Sequence, residues 1–182
     1  VDSANIYIGT STTLYKFNGT SLVDQGFAPG AFWFLSTSYG VAQSGETGYY
    51  KYNGSGWSIK SFSRSGVFNT IWLGKDSTIC ITQNNSGIYS TSYVDIIRGS
   101  TQTNILELPR YSIHSCGLID KNDIWIGCNE SVYVVPKIMH YNGSSWKTVP
   151  APLVAEHPIK VFSFLSSEKG YAISSYEVFS YE

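Results

Sequence analysis

Three arginines, Arg64, Arg98 and Arg110, are the residues of this 182-residue chain best suited to recognition chemistry. All three fall between apolar runs, and Glu156 and His157 lie in a similar stretch further on. A guanidinium presents a planar fork of N–H donors that matches the two oxygens of a carboxylate, sulfate or phosphate. Carried by loops that converge on one face, these five residues are expected to form a ligand-binding site for a glycan or a surface protein.

Catalysis finds less support. Glycoside hydrolysis needs two carboxyl groups flanking one bond, and the runs that read as inner strands offer Ser, Thr, Phe, Trp and His114, with no Asp or Glu before their final turn. The chain lacks Gly-x-Ser-x-Gly, His-Glu-x-x-His, a phosphate-binding glycine loop and an EF-hand loop. His114, His140 and His157 are scattered singly, and no Cys-x-x-Cys spacing is present. The expectation is a protein that is not an enzyme and uses no cofactor or metal, with a glycoside hydrolase as the remote alternative.

Of the cysteines, Cys80, Cys116 and Cys128, the last two flank a predicted hairpin whose turn is Lys121-Asn122-Asp123. Equidistant from Asn122, they are expected to face each other across the strands. There they are either a disulfide or two small buried hydrophobes, and Cys80 is left over. Asn-x-Ser/Thr occurs at Asn18, Asn53, Asn84, Asn129 and Asn142, the acceptor pattern for N-glycosylation.

The elements that position these groups are read from a repeat. Phe17-Asn18-Gly19-Thr20-Ser21-Leu22, Tyr52-Asn53-Gly54-Ser55-Gly56-Trp57 and Tyr141-Asn142-Gly143-Ser144-Ser145-Trp146 superpose, each reading aromatic, Asn, Gly, two small residues and a large apolar residue. Asn-Gly tolerates the positive φ of a tight turn between strands. A short apolar strand precedes each copy, as in Ile6-Tyr7-Ile8-Gly9 and Ile124-Trp125-Ile126-Gly127, and two further units, ending at Tyr89 and Tyr181, lack the Asn-Gly. The aligned aromatics at 17, 52, 89, 141 and 181 are spaced by 35, 37, 52 and 40 residues.

Four antiparallel strands recurring about every 40 residues match the blade of a β-propeller. The prediction is an all-β single domain, a five-bladed propeller with three to four strands per blade, against a β-sandwich as the alternative. Its units run over about 2–27, 28–63, 66–98, 111–150 and 158–182. Residues 98–110, including Gly99-Ser100-Thr101-Gln102-Thr103-Asn104, are read as an inserted linker that accounts for the long interval. The first unit lacks an inner strand and the last an outer one, which leaves terminal edges open to self-assembly.

Gly54 to Trp57 and Gly143 to Trp146 resemble the close of the Asp-box turn of sialidase-like propellers and the repeats of tachylectin-type propeller lectins, with Tyr52 and Tyr141 where the Asp belongs. In those families the turn is structural, so the resemblance implies a secreted propeller fold and no activity.

Composition frames the rest. With 42% hydrophobic, 15% aromatic and 14% charged residues and a net charge of −1, the chain has material for one core and no basic stripe for nucleic acid. No run of 18 apolar residues exists, so no membrane insertion is expected. The chain opens at Val1 without a charged and apolar leader, so any targeting segment is expected to have been removed already. The Ser/Thr/Asn-rich, weakly charged surface points to an extracellular, cell-surface or virion location. The leading expectation is an adhesion or recognition module. The alternative is a structural subunit of a filament, sheath or virion.

Overall fold

The computed structural model describes residues 6–45, 48–63, 67–84, 91–130, 136–149, 157–166 and 169–181. Every regular element among them is a strand, and the strands form five antiparallel sheets. The first sheet holds β1 (Ile6–Gly9), β2 (Leu14–Phe17) and β3 (Leu22–Asp24). The second holds β4 (Phe32–Ser36), β5 (Tyr39–Ser44), β6 (Gly48–Tyr52) and β7 (Trp57–Ser61). In the third are β8 (Val67–Leu73), β9 (Ile79–Asn84), β10 (Thr91–Arg98) and β11 (Thr101–Pro109). The fourth comprises β12 (Tyr111–Asp120), β13 (Asp123–Glu130), β14 (Pro136–Tyr141) and β15 (Trp146–Val149), and the fifth β16 (Val161–Phe164), β17 (Gly170–Ile173) and β18 (Val178–Tyr181).

Each sheet is a meander in chain order, which is the build of a propeller blade, and the chain is a β-propeller of five blades. Two compact units divide it: Val1–Ser65 carries the first two blades and Gly66–Glu182 the other three. In the second unit the inner strands β8, β12 and β16 lie side by side, and the blades meet face to face. Cys80 and Val94 of the third blade pack with Ile113, Cys116, Ile124 and Ile126 of the fourth in one apolar cluster. Trp125 of the fourth packs with Ile159 and Phe162 of the fifth.

Hydrogen bonds cross the same junctions. Asn69 Nδ2 donates to the Ile113 carbonyl at 2.9 Å, Trp72 Nε1 to Leu118 at 3.2 Å and Ser115 Oγ to Ile159 at 2.7 Å. Burying polar groups between sheets is tolerable only with such partners.

The Asn-Gly turns do what their residue types require. In each, the asparagine Oδ1 accepts two backbone N–H groups: Thr20 and Ser21 at 3.0 and 2.9 Å, Ser55 and Gly56 both at 3.0 Å, and Ser144 and Ser145 at 3.1 and 3.0 Å. The glycines adopt φ of 94°, 96° and 89°, a region closed to most side chains.

The inserted linker does not exist. Thr101–Pro109 is the fourth strand of the third blade, paired along its length with β10. Tyr89 falls outside the described residues, and the register assigns the repeated aromatic position in this blade to Ile97. It pairs with Ile79 as Tyr52 pairs with Gly40 and Tyr141 with Ile124. With Ile97 in place, the spacing becomes 35, 45, 44 and 40 residues, and no long interval is left to explain.

Candidate functional site

Of the expected binding residues, Arg98, Arg110 and His157 are among the described ones. Arg98 ends β10 at the two-residue turn Gly99-Ser100, on the side of the blade that carries the Asn-Gly turns in other blades. Arg110 adopts a φ of 68° at the opposite end of β11, where the chain passes to the next blade. Nine strand residues separate them, about 27 Å at the rise of an extended chain. Arg64 and Glu156 lie outside the described residues. His157 shares the blade-connecting end with Arg110, and its ring sits 4.7 Å from that of Tyr176.

The buried acid of the third blade is also structural. Asp95 accepts Gln102 Nε2 at 2.6 Å and Asn104 Nδ2 at 2.7 Å, and Asn104 Nδ2 reaches the Leu106 carbonyl at 3.1 Å as well. These bonds brace a bulge in which Ile105 has no partner on β10, and its carbonyl accepts Trp146 Nε1 of the fourth blade at 3.0 Å. Among the described residues no three His, Cys, Asp or Glu side chains come together as metal ligands.

Cys116 and Cys128 do not face each other. The hairpin closes on the two-residue turn Lys121-Asn122, and unpaired residues at Ile119 and His114 shift the register twice, so Cys116 lies opposite Ile126 and Cys128 opposite Ile113. Both thiols are free. Burial pushes the Cys128 thiol up to about 11.

The sequons divide by environment. Asn18, Asn53 and Asn142 are exposed, whereas Asn129 is buried, with Nδ2 donating to the Glu130 carbonyl at 3.0 Å and Oδ1 bonded to His114. Asn84 is half-buried and accepts the Ser92 hydroxyl. A glycan on Asn129 would break its bond to the backbone.

A groove lies in the first unit, at the edge that the repeat left without an inner strand. Beside the open edge of β1 is an apolar groove of about 320 Å³ lined by Ile6, Tyr7, Phe32, Phe34, Leu35, Ser36 and Thr37. Among the described residues the pairing stops at β1, whereas blades two to five place an inner strand ahead of the equivalent β5, β9, β13 and β17. Beneath the groove, Tyr7 stacks on Phe34 at 4.1 Å and meets Tyr52 and Trp57 edge-on at 6.1 and 6.4 Å. Burial and the adjacent Tyr52 hydroxyl raise the Tyr7 phenol well above its ordinary range, so it remains protonated and a donor. Lys16 Nζ lies 5.7 Å from the centre of the Tyr7 ring.

Register shows what is missing. Ile6, Tyr7, Ile8 and Gly9 pair with β2 as Ile124, Trp125, Ile126 and Gly127 pair with β14. In the fourth blade Ile124 and Ile126 are wholly buried against the third, but Ile6 and Ile8 are 44% and 45% exposed. The same holds in reverse in the fifth blade. Tyr171 and Val178 take the positions of Cys80 and Val94, which the fourth blade covers, and they are 44% and 66% exposed.

The five meander sheets define a β-propeller, with an apolar groove beside β1, the first of the described strands. No family model matches the chain. Among solved structures it is similar to one described as YCF48 bound to D1 peptide, with a TM-score of 0.70 at 11% identity over 100% of this chain and 61% of that one. It is also similar to YCF48 from Cyanidioschyzon merolae, with a TM-score of 0.66 at 14% identity over 96% of this chain and 65% of that one. The chain thus spans less than two thirds of the length of either, and the likeness is one of fold.

Proposed function

We propose that this chain is a non-enzymatic protein-recognition module that takes an extended segment of a partner protein along the open edge of β1. The observation that carries this is the groove beside that edge, with Ile6, Phe32, Phe34 and Leu35 exposed or half-exposed in it. An added strand would satisfy the free N–H and C=O groups of β1 while its alternate side chains fill the groove. The other inner strands supply the template: Ile71 and Leu73 of β8, and Phe162 and Phe164 of β16, alternate in this way. The segment therefore carries large apolar residues at alternate positions. The propeller neighbour solved with a peptide supports a protein ligand. Arg98 and Arg110 stand at opposite ends of β11, about 27 Å apart at the rise of an extended chain, so the pair lends a convergent glycan site no support. Among the described residues of the inner strands, Asp120 at the far end of β12 is the lone carboxylate, which gives hydrolysis no paired acid.

The test is fluorescence anisotropy with a labelled peptide copying Ala31-Phe32-Trp33-Phe34-Leu35-Ser36 between flanking lysines. Saturable micromolar binding is expected, weakened about tenfold by Leu35→Asp and by Ile6→Asp, each of which puts a charge into the groove. A scrambled peptide that binds equally well, or binding indifferent to both substitutions, refutes the site.

A second reading rests on the exposed pairs Ile6/Ile8 and Tyr171/Val178, which stand where the third and fourth blades bury theirs. Those faces suit head-to-tail association of copies, as in a structural subunit. Sedimentation velocity that shows a monomer up to high micromolar concentration rejects it. The weakly charged surface and the exposed asparagines of the Asn-Gly turns support an extracellular setting for either reading.

A further inference from the structure

We propose that Cys80 of β9 and Cys116 of β12 form a disulfide that ties the third blade to the fourth when the chain folds under oxidising conditions. Their Sγ atoms lie 3.0 Å apart across the junction between the two sheets. A disulfide has an S–S bond of about 2.05 Å, so bonding requires the sulfurs to close by only about 1 Å. Both side chains are buried, among Val94, Ile113, Leu118 and Ile126. Neither residue is near its partner in sequence, and Cys128, in the same apolar cluster, lies opposite Ile113 on β12, so the pairing is a product of the fold.

The chemistry needs a two-electron acceptor, and a small-molecule disulfide such as oxidised glutathione supplies it. One cysteine thiolate attacks a glutathione sulfur, releasing glutathione as its thiolate and leaving a mixed disulfide on the protein. The other cysteine, as its thiolate, then attacks the protein-bound sulfur and expels the second glutathione. Both cysteine protons pass to solvent, and the two glutathione thiols carry the electrons. The neighbouring Cys116 sulfur and burial both hold the Cys80 thiol protonated in the folded chain. Exchange therefore takes place during folding, before the blade faces close, or through an opening of the junction, and the native reduced pair reacts slowly. Once formed, the bond closes a loop of about 37 residues in the unfolded chain, which corresponds to a rise in Tm of roughly 10 °C for a chain of this size.

The full chain is refolded from guanidinium in a buffer of oxidised and reduced glutathione, quenched with acid, unfolded, blocked with N-ethylmaleimide and mapped by mass spectrometry. The expected product carries one adduct, on Cys128, and a cross-linked peptide pair containing Cys80 and Cys116, whereas prior reduction gives three adducts. The Cys128→Ala variant keeps the link, and the oxidised protein melts above the reduced one. Three adducts after oxidative refolding overturn the proposal, as does a link between Cys116 and Cys128.

Discussion

The register equivalence of Ile8 and Ile126 makes a paired substitution the sharpest test of how the blades are covered. Both side chains occupy the same position in the same type of strand, between the same kinds of neighbours in sequence, yet Ile126 is wholly buried and Ile8 is 45% exposed. Truncation to alanine removes three carbons, about 2.4 kcal/mol of transfer free energy for a fully buried chain at ~0.8 kcal/mol each. At Ile126 a cavity adds to this, because Cys80, Val94 and Cys116 surround it in a closed cluster, and the total comes to about 4 kcal/mol. At Ile8 roughly half of the transfer cost applies and water fills the space, so Ile8→Ala costs about 1 kcal/mol. Urea unfolding followed by tryptophan fluorescence measures both, with the slope m unchanged if each acts on stability alone. Costs within 1 kcal/mol of each other would mean that the first blade is covered as the fourth is, and the argument for an open face would fail.

The turns, the half-buried His114 and the sequons each yield a further expectation. Asn142→Ala deprives two backbone N–H groups of their acceptor and costs about 1 kcal/mol, and Gly143→Ala costs about 2 kcal/mol, since φ is 89° and the new Cβ would lie 2.8 Å from the Asn122 Cβ. Thermal melts of the two variants check the order. Burial, aided by the charge of Lys160 and opposed by the bond to Asn129, holds the His114 imidazole below its ordinary pKa. Its contribution to stability is therefore complete above about pH 6.5 and is lost as pH falls through the depressed folded value; in His114→Gln this part of the pH dependence of the urea midpoint disappears. Expressed through a eukaryotic secretory pathway, the chain should carry glycans on Asn18, Asn53 or Asn142 and none on Asn129, and site occupancy by mass spectrometry reads this directly.

What was legible in the sequence, and what was not, follows from how each feature is encoded. The Asn-Gly turns announce themselves because few residues accept φ near 90°, and the alternating apolar runs around them fix the strands. Where a blade dispenses with Asn-Gly the signal fades: the third blade turns on Gly99-Ser100, and Ile97 stands where an aromatic was sought. Taking Tyr89 for that position created a linker and moved Arg98 to the wrong end of its strand. The cysteine pairing failed for a related reason. Bulges at His114 and Ile119 have no residue signature, yet each adds an unpaired residue to β12, and the register slides until Cys116 meets Cys80 across the sheets. The open edge of the first unit was legible as an inner strand that the repeat did not supply, but the groove beside it was not, because Phe32, Phe34 and Leu35 line it only once the second blade has folded against β1.

Ile6-Tyr7-Ile8-Gly9 and Ile124-Trp125-Ile126-Gly127 show why exposure is not a property of the residues themselves. In both, the aromatic packs on an inner-strand phenylalanine of the following blade, Tyr7 on Phe34 at 4.1 Å and Trp125 on Phe164 at 5.7 Å, and the glycine allows the close approach of Phe32 or of Ile159. The isoleucines face the other way: Ile124 and Ile126 are covered by the third blade, whereas Ile6 and Ile8 are 44% and 45% exposed. The backbone follows the same logic: β13 is hydrogen-bonded on both sides, by β12 and β14, whereas among the described residues β1 is bonded to β2 alone. Amide hydrogen exchange separates the two strands, because an N–H with no acceptor exchanges through local fluctuation while a doubly flanked strand waits for larger opening. The outward amides of Ile6–Gly9 are expected to exchange orders of magnitude faster than those of Ile124–Gly127 in the free chain, and to slow when the Ala31–Ser36 peptide is present in excess. Fast exchange unchanged by the bound peptide would place the peptide away from this edge and end the case for strand addition there.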